Sequence, residues 1–295
     1  MLVEIFYHVD NFCQLFQETV EKKGIDSKGE SRRNRSQSLS LSEILTICIY
    51  FHLSGYKDFK SYYTKHVLVH MQKDFKKLVS YNRFIELKKN AVLPLMMFLQ
   101  LYGKAACMGV SYIDSFSLSV SHNKRIHSHK VFKGIAQRGK TSMGWFYGFK
   151  VHIVINHLGE IINFYISPGN VSDNNENLLE KLTKEIKGKL FGDKGYIVNK
   201  NVFEQLYSRG LHLVTKIRKN MKNILMDMQD KLGLRQRGLV ESCIGIFKES
   251  LSIEHSRHRS PINFLCHILS ALTAYVFRPK KPSIIRKRRL IEQTS

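Results

Sequence analysis

Acidic residues are scarce in this sequence: 24 Asp and Glu stand against 47 Lys and Arg in 295 residues, a formal net charge of +23. So unbalanced a field opposes compaction unless a polyanion answers it, and along a soluble chain it points to nucleic acid before membrane. A basic protein indifferent to nucleic acid is the competing class. Cysteine is scarce as well. Cys13, Cys48, Cys107, Cys243 and Cys266 are odd in number, scattered and nowhere spaced as Cys-x-x-Cys, which excludes a disulfide framework and a zinc ribbon and fits a reducing cytosol. Long apolar runs are missing too. The most apolar stretch, residues 91–101, contains Pro94 and ends at Gly103-Lys104, short of the ~20 residues that a membrane span needs. Met1-Leu2-Val3-Glu4 shows no basic segment ahead of an apolar one, so no secretory signal is expected and the cytoplasm is the expected location. No internal repeat is present.

What remains is a chain with 43% hydrophobic residues, enough for a full core in one large domain or two. The first hundred residues have helical periodicity. Ser38 or Ser40 caps a helix from Leu41 with Glu43 in its first turn and Leu41, Ile44, Leu45, Ile47, Cys48 and Phe51 as its apolar stripe; Gly55 ends it. Further helices are expected over 57–62, 67–78 and 81–94. Residues 41–65 have the layout of a helix-turn-helix, which competes with a purely structural bundle. Ahead of them, residues 27–37 are polar and basic, a connector suited to lying on phosphates.

From Met108 the periodicity becomes that of strands. Three are expected, over 108–120, 145–156 and 160–167, the last two joined at Asn156-His157-Leu158-Gly159. Ser172 caps a helix over 173–187, Leu190-Phe191 forms a short buried strand, 198–208 a helix and His212-Leu213-Val214 a fifth strand. A helix around Glu241 and one opened by Ser260-Pro261 follow. The order β-β-β-α-β-α-β-α gives a mixed α/β sheet flanked by helices on both faces, behind a helical N-terminal region. The expected division is 1–104 helical and DNA-binding, 105–277 catalytic, and 278–295 a basic tail that grips phosphate backbones without reading sequence.

Three acids stand out. Asp193 follows the strand ending at Phe191 and precedes a glycine turn, so its carboxylate is aimed outward from a strand's carboxyl end, where open α/β sheets build ligand sites. Asp114 interrupts an alternating, half-buried strand and needs a partner there. Glu241 lies on an amphipathic helix with Arg237 four residues before it and Lys248 seven after, on one face, where the cations can grip phosphates; Glu249 points away. Each acid alone has an ordinary explanation: a strand-edge acid, a turn former, half of a surface ion pair. Asp173 competes with them as a metal ligand but is read first as a first-turn helix residue favoured by the helix dipole. Phosphodiester chemistry requires an attacking oxygen to be activated and a leaving oxygen stabilised, which two divalent cations about 4 Å apart accomplish, and carboxylates are their ligands.

The sequence of acids on first strand, fourth strand and late helix resembles the RNase H-like core of the DDE transposases, and the chain is similar to bacterial insertion-sequence transposases over roughly residues 39–285. Arg237, Glu241 and Lys248 reproduce the Arg-x3-Glu-x6-Lys part of that superfamily's signature, and Asp114-Ser115 and Gly192-Asp193-Lys194-Gly195-Tyr196 resemble its two aspartate motifs. Leu234 stands where the signature has a tyrosine. The resemblance implies an RNase H-like mixed five-stranded sheet, catalysis and Mg2+ binding by Asp114, Asp193 and Glu241, two ions with Mn2+ as a substitute, and hydrolysis followed by strand transfer. It also implies terminal inverted repeats and target DNA as partners, a homodimer in the synaptic complex, no membrane, and a nucleoid-associated place in a bacterial cytoplasm. A nuclease of the same fold without strand transfer, and an inactive sequence-specific DNA-binding protein, are the alternatives.

Basic residues complete the expected interface. Arg125, Lys130, Lys133, Arg138 and Lys140 fall in a long loop between the first two strands, expected to be ordered by DNA. Lys194, Arg257 and Arg259 are further DNA contacts. His127, His129, His255 and His258 lack nearby cysteines at ligand spacing and are assigned to phosphate rather than zinc. Trp145 begins a strand and has either a structural role or one in stacking on a displaced base.

Overall fold

Ser40 and Glu43 satisfy each other as the sequence predicts: the Ser40 hydroxyl accepts from the Glu43 amide at 3.1 Å, and the Ser40 amide donates to Glu43 Oε2 at 2.7 Å. The structure, a computed structural model, describes residues 1–22, 38–75, 77–217, 225–254 and 258–284. The connector at 27–37, His255, Arg257 and the tail beyond 284 lie outside the described residues. The helices are α1 (Leu2–Lys22), α2 (Leu41–Leu53), α3 (Phe59–Tyr62), α4 (Leu68–His70), α5 (Tyr81–Leu87), α6 (Val92–Phe98), α7 (Glu176–Thr183), α8 (Lys200–Ser208), α9 (Met228–Gln236), α10 (Gly238–Gly245) and α11 (Pro261–Phe277). Among the described residues none is long and apolar enough to cross a membrane.

The chain forms two compact units. The helical one joins Met1–Gly103 to Ile246–Arg278, so α11 packs on α2 and α6 rather than staying with the sheet, where the sequence reading put residues 246–277. The reason is visible in α11 itself. Ala271, Leu272, Thr273 and Ala274 follow one another around the helix at about 100° per residue and all are buried, so it needs neighbours on every side. Each fully buried Leu or Ile contributes about 1.5–3 kcal/mol. α2 is likewise buried nearly all round. The second helix of the expected helix-turn-helix is one continuous helical stretch, capped by Asp58 and running from Phe59 through the π-helical turn Tyr63–Val67 to His70, so the helices expected over 57–62 and 67–78 are joined and end at His70. Pro94 sits in the first turn of α6, where a missing amide costs nothing.

The second unit, Lys104–Gly245 with the stretch that follows Arg278, is a sheet between helices. Among the described residues it has six strands: β1 (Val110–Ser121), β2 (Gln137–Thr141), β3 (Gly144–Asn156), β4 (Ile161–Pro168), β5 (Gly188–Gly192) and β6 (Leu211–Thr215). β3 pairs antiparallel with β1 along one edge. Its other edge is shared end to end by β2, opposite residues 144–148, and β4, opposite 149–155. β5 and β6 add parallel to β1. The class is the expected mixed α/β sheet behind a helical region, with β2 as an addition inside the stretch expected to be a loop. Gln137-Arg138-Gly139-Lys140-Thr141 has no apolar alternation; its ladder to β3, rather than burial, makes it a strand.

The Asn156 turn is as the sequence predicts. Asn156 Oδ1 accepts from the amides of Leu158 and Glu160, both at 3.0 Å, and Gly159 takes φ +71°. Ile113, Leu178, Leu179, Leu190, Tyr196 and Leu206 form the core on the sheet face that α7 and α8 cover. On the opposite face the Phe191 ring lies against Gly233 of α9 so closely that any Cβ there would meet it at 2.2 Å.

Candidate active site

β1 and β5 are in register, Val110 opposite Lys189, Ser111 opposite Leu190 and Tyr112 opposite Phe191. Asp114 and Asp193 each come two residues after the last pair of that ladder, so the register carries both to the same end of the β1–β5 pairing, close enough for Asp193 to act on the Asp114 carboxyl. Asp193 has extended backbone, φ −79° and ψ −176°, and its Oδ1 accepts from the Gly195 amide at 2.8 Å. It therefore also forms the turn that its ordinary explanation anticipated.

α9 and α10 lie against that pairing. The Tyr112 hydroxyl donates to Gln236 Oε1 at 3.2 Å, and Arg237, between the two helices, donates from Nη1 to Asp114 Oδ2 at 2.8 Å and from Nη2 to Glu241 Oε1. One guanidinium thus joins the strand acid to the helix acid. Asp114 Oδ1 accepts from the Ser115 amide at 2.8 Å. Burial raises the Asp114 carboxyl to about 6, and Asp193 pushes the same way; the Ser115 amide and Arg237 act against them.

A fourth carboxylate belongs to this place, one that the sequence reading ranked below the other three. Asp173 was expected in the first turn of a helix capped by Ser172, but α7 begins at Glu176 and its cap is Asn175, which accepts from the Leu178 amide at 3.0 Å. Asp173 Oδ1 instead accepts from Ser115 Oγ at 2.9 Å and from Lys150 Nζ at 3.2 Å, and lies 3.7 Å from His152 Nδ1. Asp173 also comes near Asp193 at Gly195, where a Cβ would lie 2.9 Å from Asp193 Oδ1 and 3.3 Å from Asp173 Oδ2. Burial, together with the carboxylates of Asp173, Asp114 and Asp193, drives the phenol of buried Tyr196 well above its usual range. The signal in the sequence was Phe149-Lys150-Val151-His152-Ile153. Two basic side chains at period two in a central strand call for an acid.

The ribbon of β2 and β3 brings cations alongside. Arg138 Cζ lies 4.7 Å from the centre of the Trp145 ring and Lys140 Nζ 5.6 Å, with Trp145 half exposed. Arg138, Lys140, Trp145, Lys150, Asp173 and Gly195 line a cleft of about 430 Å3. Lys194 and Arg125 are exposed, Arg125 in the single turn Asn123–Arg125. Lys248 and Arg259 belong to the helical unit. There the chain widens after α10 into the π-helical turn Ile246–Ser250, and Lys248 Nζ pairs with Glu254 at 2.8 Å. His129 stacks on Phe132, with ring centres 5.6 Å apart.

The donors fit a hard divalent cation: carboxylate oxygens only, one aspartate within β1 and the other just past the end of β5. Among the described residues no three His, Cys, Asp or Glu side chains already converge as a metal cluster, since Glu241 is turned to Arg237.

Residues 104–261 match the model of the transposase DDE domain, and the match begins where the sheet unit does. It spans more than half of the sequence, and the chain belongs to that family of transposases. Similar solved structures are the Mos1 strand transfer complex (10% identity, covering 90% of this chain and 87% of that one, TM-score 0.22) and a pre-cleavage Mos1 transpososome (9%, 90% and 87%, 0.22). A Mos1 paired-end complex with the left transposon end is also similar (10%, 79% and 86%, 0.20). No curated protein matches.

Proposed function

We propose that this transposase cuts DNA at the ends of a bacterial insertion sequence and joins the freed 3′-OH to target DNA, with Asp114, Asp193 and Glu241 as its catalytic carboxylates. The observation that carries this reading is the register of β1 and β5, which sets Asp114 beside Asp193, together with the Arg237 fork that ties Glu241 to Asp114. These three acids would hold two Mg2+, with Mn2+ as a substitute, and the ions would supply activation of the attacking oxygen and stabilisation of the leaving 3′-oxygen. Arg237 keeps Asp114 and Glu241 together against their mutual repulsion, and its paired donors match a phosphate as well as a carboxylate. Arg138, Lys140 and Lys194 neutralise the backbone of the bound strand and fix its position without reading sequence.

The helical unit binds the terminal inverted repeats, and because two ends must be brought together the working form is a homodimer. Its place is the nucleoid of a bacterial cytoplasm. Asp193→Asn tests the assignment. It removes a ligand but no phosphate contact, so cleavage of an element end is expected to fall on the order of 1000-fold, about 4 kcal/mol of barrier, at nearly unchanged affinity for that end. Cleavage at the wild-type rate would overturn it. A pre-cut end that is bound but never joined to target would identify a nuclease of this fold.

A further inference from the structure

The helical unit contains a cavity of about 1140 Å3 lined by, among others, Lys88, Arg259, Lys57 and Asn263. Lys88 is only 2% exposed. Among the described residues its ammonium has neither a carboxylate nor a hydrogen-bond acceptor; its Nζ stands 4.3 Å above the centre of the Phe59 ring. A buried ammonium is normally paired with an acid, since desolvation alone costs several kcal/mol. The two acids in the lining are engaged elsewhere. Asp58 accepts from the Ser61 amide at 2.8 Å and Glu254 is paired with Lys248 at 2.8 Å. Asn263, 8% exposed, lines the same space with a buried Oδ1 that has no partner. The field of Lys88 reaches His258, whose imidazole is lowered to about 3 by burial first and by Lys88 second.

We propose that this cavity takes one unpaired nucleotide of DNA, its phosphate on Lys88 and Arg259 and its base edge on Asn263. At about 1140 Å3 the space exceeds what a phosphate needs and has room for a whole nucleotide with solvent beside it. That the nucleotide belongs to DNA rests on the function proposed above; that the cavity takes a phosphate ester does not.

The test uses the full chain and four probes: a labelled 15-base single strand, the corresponding blunt duplex, dAMP and inorganic phosphate. Lys88→Met and Arg259→Gln are expected to weaken binding of the single strand roughly 10- to 100-fold, the range for a charge-assisted contact, and to change duplex binding little. Thermal unfolding of both variants checks the fold, and Arg259, being exposed, can be replaced without disturbing it. Equal affinities in all three proteins overturn the proposal. Dependence on Lys88 seen for dAMP but not for the single strand overturns DNA as the source, and dependence seen for inorganic phosphate alone overturns the nucleotide. Asp193→Asn should retain the Lys88-dependent binding. Failure of the cavity assignment therefore leaves the cleavage test standing, and failure of the cleavage test leaves the phosphate-ester site standing.

Discussion

In the sheet unit, Asp114 has Arg237 at 2.8 Å, Asp173 has Lys150 at 3.2 Å, and Asp230 has Lys189. In the helical unit Lys88 is buried against an aromatic ring with no acid beside it among the described residues. Pairing within the chain makes the first set of charges part of the resting molecule's stability. A lone buried cation adds nothing to stability at rest, and its use is to be sought in what it binds.

The largest effects test that contrast directly. Arg237→Met leaves two neighbouring acids without their shared cation and is expected to lower unfolding free energy by about 2–3 kcal/mol at pH 7, less than a fully buried pair because Glu241 is exposed. Lys88→Met breaks no pair and should leave stability unchanged or raise it by about 1 kcal/mol. Urea midpoints decide it: comparable losses in the two variants would mean that Lys88 has a structural partner.

Next in size is the response to pH. The folded-state carboxyl of Asp114 is raised from 3.8 to about 6, so the folded chain holds this proton at pH values where the unfolded chain has released it. Its contribution falls as pH rises through that window, by up to about 3 kcal/mol, and Asp114→Asn should remove that slope. The buried histidines act in the opposite sense. His52 and His258 are lowered to about 3 and His152 to about 4, chiefly by burial, so stability is lost as pH falls below 6.5, where the unfolded chain gains their protons first. A denaturation series from pH 4 to 8 on His258→Leu should show a shallower acid limb than wild type.

Asp173→Asn isolates a second pair. Lys150 then loses its acid but keeps the Val171 carbonyl at 3.0 Å, so a cost of about 1–2 kcal/mol is expected in the same urea assay. The smallest effect is that of Arg138→Gln, which should leave stability within about 0.5 kcal/mol and reduce the salt slope of DNA binding by about one. An unchanged slope would take the β2 ribbon out of the interface.

The legible part of the fold was written in local patterns. The alternation through Val110–Ser121, the Asn156-to-Gly159 turn and the Ser40-to-Glu43 cap each depend on residues a few places apart, and each forms. Arg237 and Glu241, four residues apart on a helical path, meet for the same reason. β2 escaped because a ladder of main-chain bonds leaves no mark on side-chain pattern. Asp173 ranked low because its partners Ser115 and Lys150 are distant in sequence, and a run of Asn and Ser around it reads equally well as a helix start. α1 was not singled out; Ile5, Val9, Phe12 and Cys13 make its buried stripe. Lys88 was invisible in principle, since nothing in its neighbours marks a lysine as interior.

The β1–β5 alignment works as a vernier. One residue inserted between Gly188 and Asp193 would rotate the second aspartate to the α7 side of the sheet, away from Arg237. Two would return it to the proper side but displace it about 6.6 Å along the strand, too far to share an ion with Asp114. Chain length between Gly188 and Asp193 is therefore as much a part of the proposed site as the acids themselves.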